Sequence, residues 1–271
     1  MNNDPIFRIR QLIDFTVNDL MSSLLLWRYW LYRSFINYRL NFQGTRLGFL
    51  WPNISLLLVV AVLGTIWGVI LGGELGHEYY LYLICGYPVW QIISSSVNKA
   101  NRGFLLNNTS SGLPFTVIVF ERLSLVFIPF VVVSIFVLVA VAILTRGGYE
   151  HLVYAPLAIL CLMIWCVGAI LFISVLVTLR PDLSQLISAF MRLSFLATPI
   201  IWEPSRLGVY QDYLWYNPFF APLEFARYSL SGIVYELDVI WVMPIYSISL
   251  LILGLGVFAR YVNVIRFRAA T

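Results

Sequence analysis

The chain has 271 residues, 61% of them hydrophobic and only 11% charged, with a mean hydropathy of +0.86. No soluble domain of this size has that balance, and the formal charge of +4 matters less for its size than for where the cations fall. Six nearly uncharged stretches, each at least about the 20 residues a helix needs to cross a bilayer, predict an all-α polytopic membrane protein, because backbone amides in lipid must close their hydrogen bonds within the segment.

Residues 1–46 form a cytoplasmic or interfacial N-terminal segment, too short for an independent catalytic domain. Met1 to Pro5 opens it without the basic n-region, apolar core or cleavage site of a removable signal peptide. Asp14 to Leu40 mixes arginines with Leu24, Trp27, Tyr29, Trp30, Tyr32 and Phe35, a composition suited to the headgroup region and read as one interfacial amphipathic helix. On a helical wheel Arg28 and Arg39 share one side, and Arg33, Asn37 and Asn41 lie roughly opposite.

A six-helix transmembrane domain is expected over residues 47–262, beginning with spans at Leu47 to Gly73 and Tyr79 to Asn98. The loop from Lys99 to Arg122 is dense in turn residues, among them Asn107, Asn108, Gly112 and Pro114, and has room for one short helix. Spans three to five follow at Leu123 to Thr145, Leu152 to Leu179 and Leu183 to Trp202. Across 203–238, Pro204, Gly208, Pro218, Pro222 and Gly232 break up two apolar pieces, Tyr213 to Leu223 and Phe225 to Tyr235, each about half the length of a span. They are expected as short re-entrant or interfacial helices between spans five and six. Val239 to Ala259 is the sixth span, and 263–271 is a tail. Arginines and the lysine concentrate before the first span, between the second and third, and after the sixth, which places both termini in the cytoplasm.

The only lysine, Lys99, follows no glycine-rich turn, so a P-loop is excluded and any ATPase must be a separate chain. Cys85, Cys161 and Cys166 fall inside spans as small apolar residues, and His77 and His151 sit far apart, so no metal site is expected. The carboxylates between spans five and six, Glu224 among them, read as solvated loop charges. Two polar stripes stand out at helical spacing: Tyr87, Gln91, Ser94 and Asn98 in the second span, and Gln185, Ser188 and Arg192 in the fifth. Polar stripes either line a passage or glue helices together. Sugar rings stack their C–H faces on aromatic rings without fixing register, and Tyr87, Trp90, Phe195 and Trp202 are the best placed for that, with Gln91 and Arg192 beside them. An interfacial aromatic belt is the alternative.

Four segments in order carry a family resemblance: FQGTRLGFLWPNISLLL (Phe42 to Leu58), RPDL (Arg180 to Leu183), ATPIIW (Ala197 to Trp202) and NPFFAPLEFAR with Asn217, Pro218, Glu224 and Arg227. The chain resembles permeases of the type-2 ABC exporter family, most closely the O-antigen and lipopolysaccharide branch. RPDL departs from the usual Arg-aromatic-Arg-Asp pattern by placing Pro181 before Asp182. The resemblance implies a transport subunit, not an enzyme, that exports an undecaprenyl-linked glycan across the bacterial inner membrane. It implies a homodimer bound to two copies of a nucleotide-binding ATPase subunit, which holds ATP and Mg, with a channel between the protomers and no nucleic-acid partner. By the same resemblance Asn107, Leu113, Pro114 and Phe115 dock on the ATPase, with help from the segment before the first span. Export of small hydrophobic compounds, or an intramembrane glycosyl- or acyltransferase, are the rival readings.

Overall fold

Prolines mark several places where the apolar runs start or stop as helices. The computed structural model describes residues 5–46, 48–70, 77–104, 112–144, 149–233 and 238–270, with no strand among them. Helices α1 (Pro5–Leu25) and α2 (Trp27–Leu40) come first, followed by α3 (Trp51–Ile70), α4 (His77–Ala100), α5 (Val117–Leu144), α6 (Ala155–Leu179), α7 (Leu183–Ala197), α8 (Phe220–Ser231) and α9 (Val239–Ala270). Pro52 and Pro156 each stand at the second position of their helix, where the missing N–H has no intrahelical partner to lose. Pro199 forces Thr198 into extended backbone (φ −99°, ψ 139°), so α7 stops at Ala197 and not at Trp202. Gly232 closes α8 in the left-handed conformation (φ +73°).

Three expectations change. The interfacial segment is two helices, because the chain turns at Leu26 (φ −82°, ψ 26°), and the Trp30 indole spans the turn by donating to the Ser23 carbonyl at 3.0 Å. α1 then packs on α9 and α5, and α2 on α5. Between α7 and α9 the break falls at Asn217 to Phe219: a 3-10 segment, Pro204–Tyr216, precedes α8, which carries Pro222 inside its first turn at no hydrogen-bond cost. Lys99 and Arg122, expected in a loop, belong to the last turn of α4 and the second turn of α5. The parts of that loop within the described residues, Asn101 to Phe104 and Gly112 to Thr116, hold no helix; Asn107 lies outside the described residues.

By length and apolarity, Val117–Leu144, Glu150–Leu179 and Val239–Ile265 suffice to cross a membrane, whereas Trp51–Trp67 and Leu183–Ala197 are shorter apolar helices. α4 has 24 residues but is more polar, and it touches α3, α5, α6, α7 and α8. Protein, not lipid, therefore covers most of its surface. The most extensive helix pair is α6 with α9. It rests on glycine: a Cβ at Gly168 would lie 2.7 Å from the Leu251 backbone nitrogen, and one at Gly254 would lie 2.7 Å from the Gly168 carbonyl. Backbones that close gain dispersion contacts along the whole crossing.

Candidate functional site

The polar stripe of α4 opens onto a groove. Tyr87, Trp90 and Gln91 of α4, Leu58, Val59, Val62 and Leu63 of α3, and Phe195 of α7 line a space of about 460 Å³. Gln91 is exposed and donates to the Tyr87 hydroxyl at 2.6 Å, which fixes both polar ends toward the opening. Trp90 is only 5% exposed, held between Phe195 and Phe219 at ring-centroid distances of 6.0 and 5.6 Å. Four of the six residues expected along a passage are thus brought together, and two are not.

Arg192 is exposed on α7 with no ion pair among the described residues, while its stripe neighbour Ser188 accepts from the Asn101 amide at 3.1 Å and ties α7 to the end of α4. The α7 stripe is therefore split between an open side and a helix contact. Trp202 lies off the groove, with its indole donating to the Leu196 carbonyl at 3.0 Å.

At the C-terminal end of α7 the chain continues as irregular backbone from Thr198 to Trp202, and each freed carbonyl needs a donor. Two tyrosines of α4 and one arginine of α8 supply them. The Tyr79 hydroxyl donates to the Ile201 carbonyl at 2.6 Å, and the Tyr82 hydroxyl lies within hydrogen-bond distance of the Pro199 and Trp202 carbonyls, at 2.7 and 2.9 Å. Arg227 Nη2 donates to the Pro199 carbonyl at 2.6 Å, and its Nη1 pairs with Glu224 Oε2 at 3.0 Å. Its guanidinium carbon lies 3.7 Å from the centre of the Tyr82 ring. Gly86 leaves the necessary room, since a Cβ there would stand 2.5 Å from Arg227 Nη2.

Arg227 and Glu224 are 0% and 1% exposed. Glu224 is therefore not a solvated loop charge: the i,i+3 spacing to Arg227 inside an apolar piece was the signal for a buried pair. Asn217, in the same landmark, donates to the Ala197 carbonyl at 3.2 Å and to Thr198 Oγ1 at 3.0 Å, while its own carbonyl accepts from the Phe219 amide. These contacts explain in physical terms why NPFFAPLEFAR and ATPIIW stand out together: one segment satisfies the other's backbone.

At the opposite end, α1, α2, the C-terminal end of α4 and the N-terminal end of α5 gather on one face. Asp19 of α1 is the organiser that the sequence reading missed. Its carboxylate accepts from the Phe115 amide at 3.1 Å, the Thr116 amide at 2.9 Å and the Thr116 hydroxyl at 2.8 Å, next to the positive end of α5. Ser23 meets Thr116 hydroxyl to hydroxyl at 2.7 Å. Ser34 of α2 donates to the Glu121 carbonyl at 3.1 Å, and Arg33 pairs with the Glu121 carboxylate at 3.3 Å. On the other side of α2, Arg28 and Arg39 lie over the rings of Trp27 and Phe35. Leu113, Pro114 and Phe115 are half-buried at this end, held by the α1 tether.

Residues 25–231 match the family model for the ABC-2 type transporter. No curated protein matches the chain.

Proposed function

The chain belongs to the ABC-2 type transporter family, and from that premise we propose that it is the permease of an exporter that carries a lipid-linked polysaccharide of O-antigen type across the bacterial inner membrane. The family is one of multi-pass transport subunits that pair with an ATPase subunit. In this reading two copies of the chain form a homodimer with two nucleotide-binding subunits, which bind ATP and Mg. Six helices cross the bilayer and both termini face the cytoplasm, with α3, α4, α5, α6, α7 and α9 as the spans. The face that carries α1 and α2 then meets the ATPase through Leu113, Pro114 and Phe115.

The observation that supports a glycan is the groove in which Tyr87, Trp90, Gln91 and Phe195 meet. Aromatic surface beside a fixed amide and hydroxyl suits sugar rings that must slide, since stacking on C–H faces imposes no register. Arg192, exposed on α7 one turn from Phe195, adds a cation to the same side of the helix. Deleting the gene tests the reading. Lipid-linked glycan trapped on the cytoplasmic side is the expected result; normal surface glycan with raised sensitivity to hydrophobic drugs would overturn it in favour of a small-molecule exporter.

A further inference from the structure

The connection between α4 and α5 is fastened to the rest of the molecule at both of its described ends, and by different means. At the first end the Phe104 amide donates to Thr178 Oγ1 of α6 at 2.9 Å, and the Phe104 ring meets Phe258 of α9 at a centroid distance of 5.5 Å. Arg122 closes the same corner, donating to Ser174 Oγ of α6 at 2.7 Å and to the Gly103 carbonyl. This end therefore bears directly on α6 and α9. At the second end the bonds go to α1: Asp19 accepts from the Phe115 and Thr116 amides at 3.1 and 2.9 Å, and from the Thr116 hydroxyl at 2.8 Å. Donors shared by an ionised carboxylate make the stronger class of hydrogen bond.

α1 carries this second end to α9. Leu12, Phe15 and Leu20 of α1 pack against the core that includes Phe258, Val262 and Ile265, in the C-terminal third of α9, and α1 contacts α9 as well as α5. α5 itself shares no extensive contact with α9 among the described residues, and α2 packs on α5, so α1 is the bridge. α6 and α9 are in turn held backbone to backbone at Gly168 and Gly254, which places both ends of the connection on one helix pair. Exposing the end of α9 to water requires α1 to lift away. α1 can lift only by breaking the Asp19 bonds or by taking residues 113–116 with it, so whatever fixes those residues also fixes α1.

We propose that Asp19 makes α1 a strap, by which an ATPase seated on Leu113, Pro114 and Phe115 restrains the C-terminal third of α9 and, through it, the pair of α6 and α9. Asp19 is then a positioning residue: it touches neither the ATPase nor the cargo, and acts by joining the docking residues to α1. The inference rests on the reading that the ATPase meets the chain at these three residues, and it is independent of what the exporter carries.

The test is hydrogen exchange, read by mass spectrometry, on the purified full-length chain with and without its cognate ATPase subunit. In the wild type, binding is expected to slow exchange at the amides of Leu113, Phe115 and Thr116 and, by about fivefold or more, at those of residues 259–265. In Asp19→Asn the ATPase is expected still to slow the first set, while the second set no longer responds. An Asp19 that serves stability alone would, when replaced, raise α9 exchange equally in the free and the bound chain. The ratio of bound to free would then stay as in the wild type, and that result would overturn the proposal. Should Asp19→Asn fail to fold, Thr116→Val, which removes the hydroxyl contacts to Asp19 and Ser23, is expected to reduce the α9 response, and a full response there would count as the same refutation. Slowing at residues 113–116 of the wild type without any response in α9 overturns the strap alone. No slowing at residues 113–116 sinks the docking reading and the strap together.

Discussion

Replacing Arg227 with Met removes the cation that holds three elements together while keeping an unbranched side chain of similar length. The loss is large because of where the group sits. Arg227 is fully buried and Glu224 is 1% exposed, so the Glu224 carboxylate loses its guanidinium partner in a place that water does not reach. Removing one member of a buried ion pair costs about 3–5 kcal/mol. The Pro199 carbonyl bond and the Tyr82 ring contact, worth up to about 2 kcal/mol when desolvated, fall within that figure and are not added to it. For a chain of this size the expected drop in Tm is roughly 10 °C. The buried thiols Cys85, Cys161 and Cys166 supply the readout, because a thiol-reactive dye labels them only on unfolding in detergent. The companion variant Glu224→Leu with Arg227→Met takes away both charges and is expected to regain most of the loss, since an apolar pair of similar volume is often tolerated in place of a buried ion pair. Arg227→Met within about 1 kcal/mol of wild type, or a double variant no more stable than the single one, would refute the reasoning.

Gly168→Ala is expected to destabilise by about 1–3 kcal/mol, because the new methyl would meet the Leu251 backbone at 2.7 Å and force α6 and α9 apart; an unchanged Tm in the same dye assay would show that the crossing relaxes freely. Asp19→Asn is expected to cost about 1.5–3 kcal/mol by removing the charge that three donors of Phe115 and Thr116 share. Hydrogen exchange at those two amides should accelerate, while the amides of α6 keep their protection.

The apolar runs of this chain are legible as helices because each closes its own backbone hydrogen bonds, so neither its existence nor its approximate ends depend on a distant partner. Proline made several ends legible too, as at Pro52, Pro156 and Pro199. The turn at Leu26 was not legible, since nothing in LLLWRYW breaks a helix; both helices pack on α5, and the bend lets α1 reach α9 as well. Of the groove, Tyr87 and Gln91 were readable from their spacing, which a single helix imposes. Whether Phe195, Arg192 and Trp202 would join them depended on how α7 is rotated and where it stops. Phe195 does join them; Arg192 is exposed one turn away without lining the groove, and Trp202 lies off it.

The sequence by itself determined the helical class, the membrane character and the side of each helix on which polar residues fall, all of which follow from composition and from the period of 3.6 residues. Only the tertiary structure decided which polar groups are paired. Asp19 meets Thr116 across 97 positions, Arg227 reaches Pro199 across 28, and Arg122 meets Ser174 across 52. A charge in a sequence carries no sign of its burial, because the cost of desolvating it and the partner that offsets the cost are both set by chain packed against it from elsewhere.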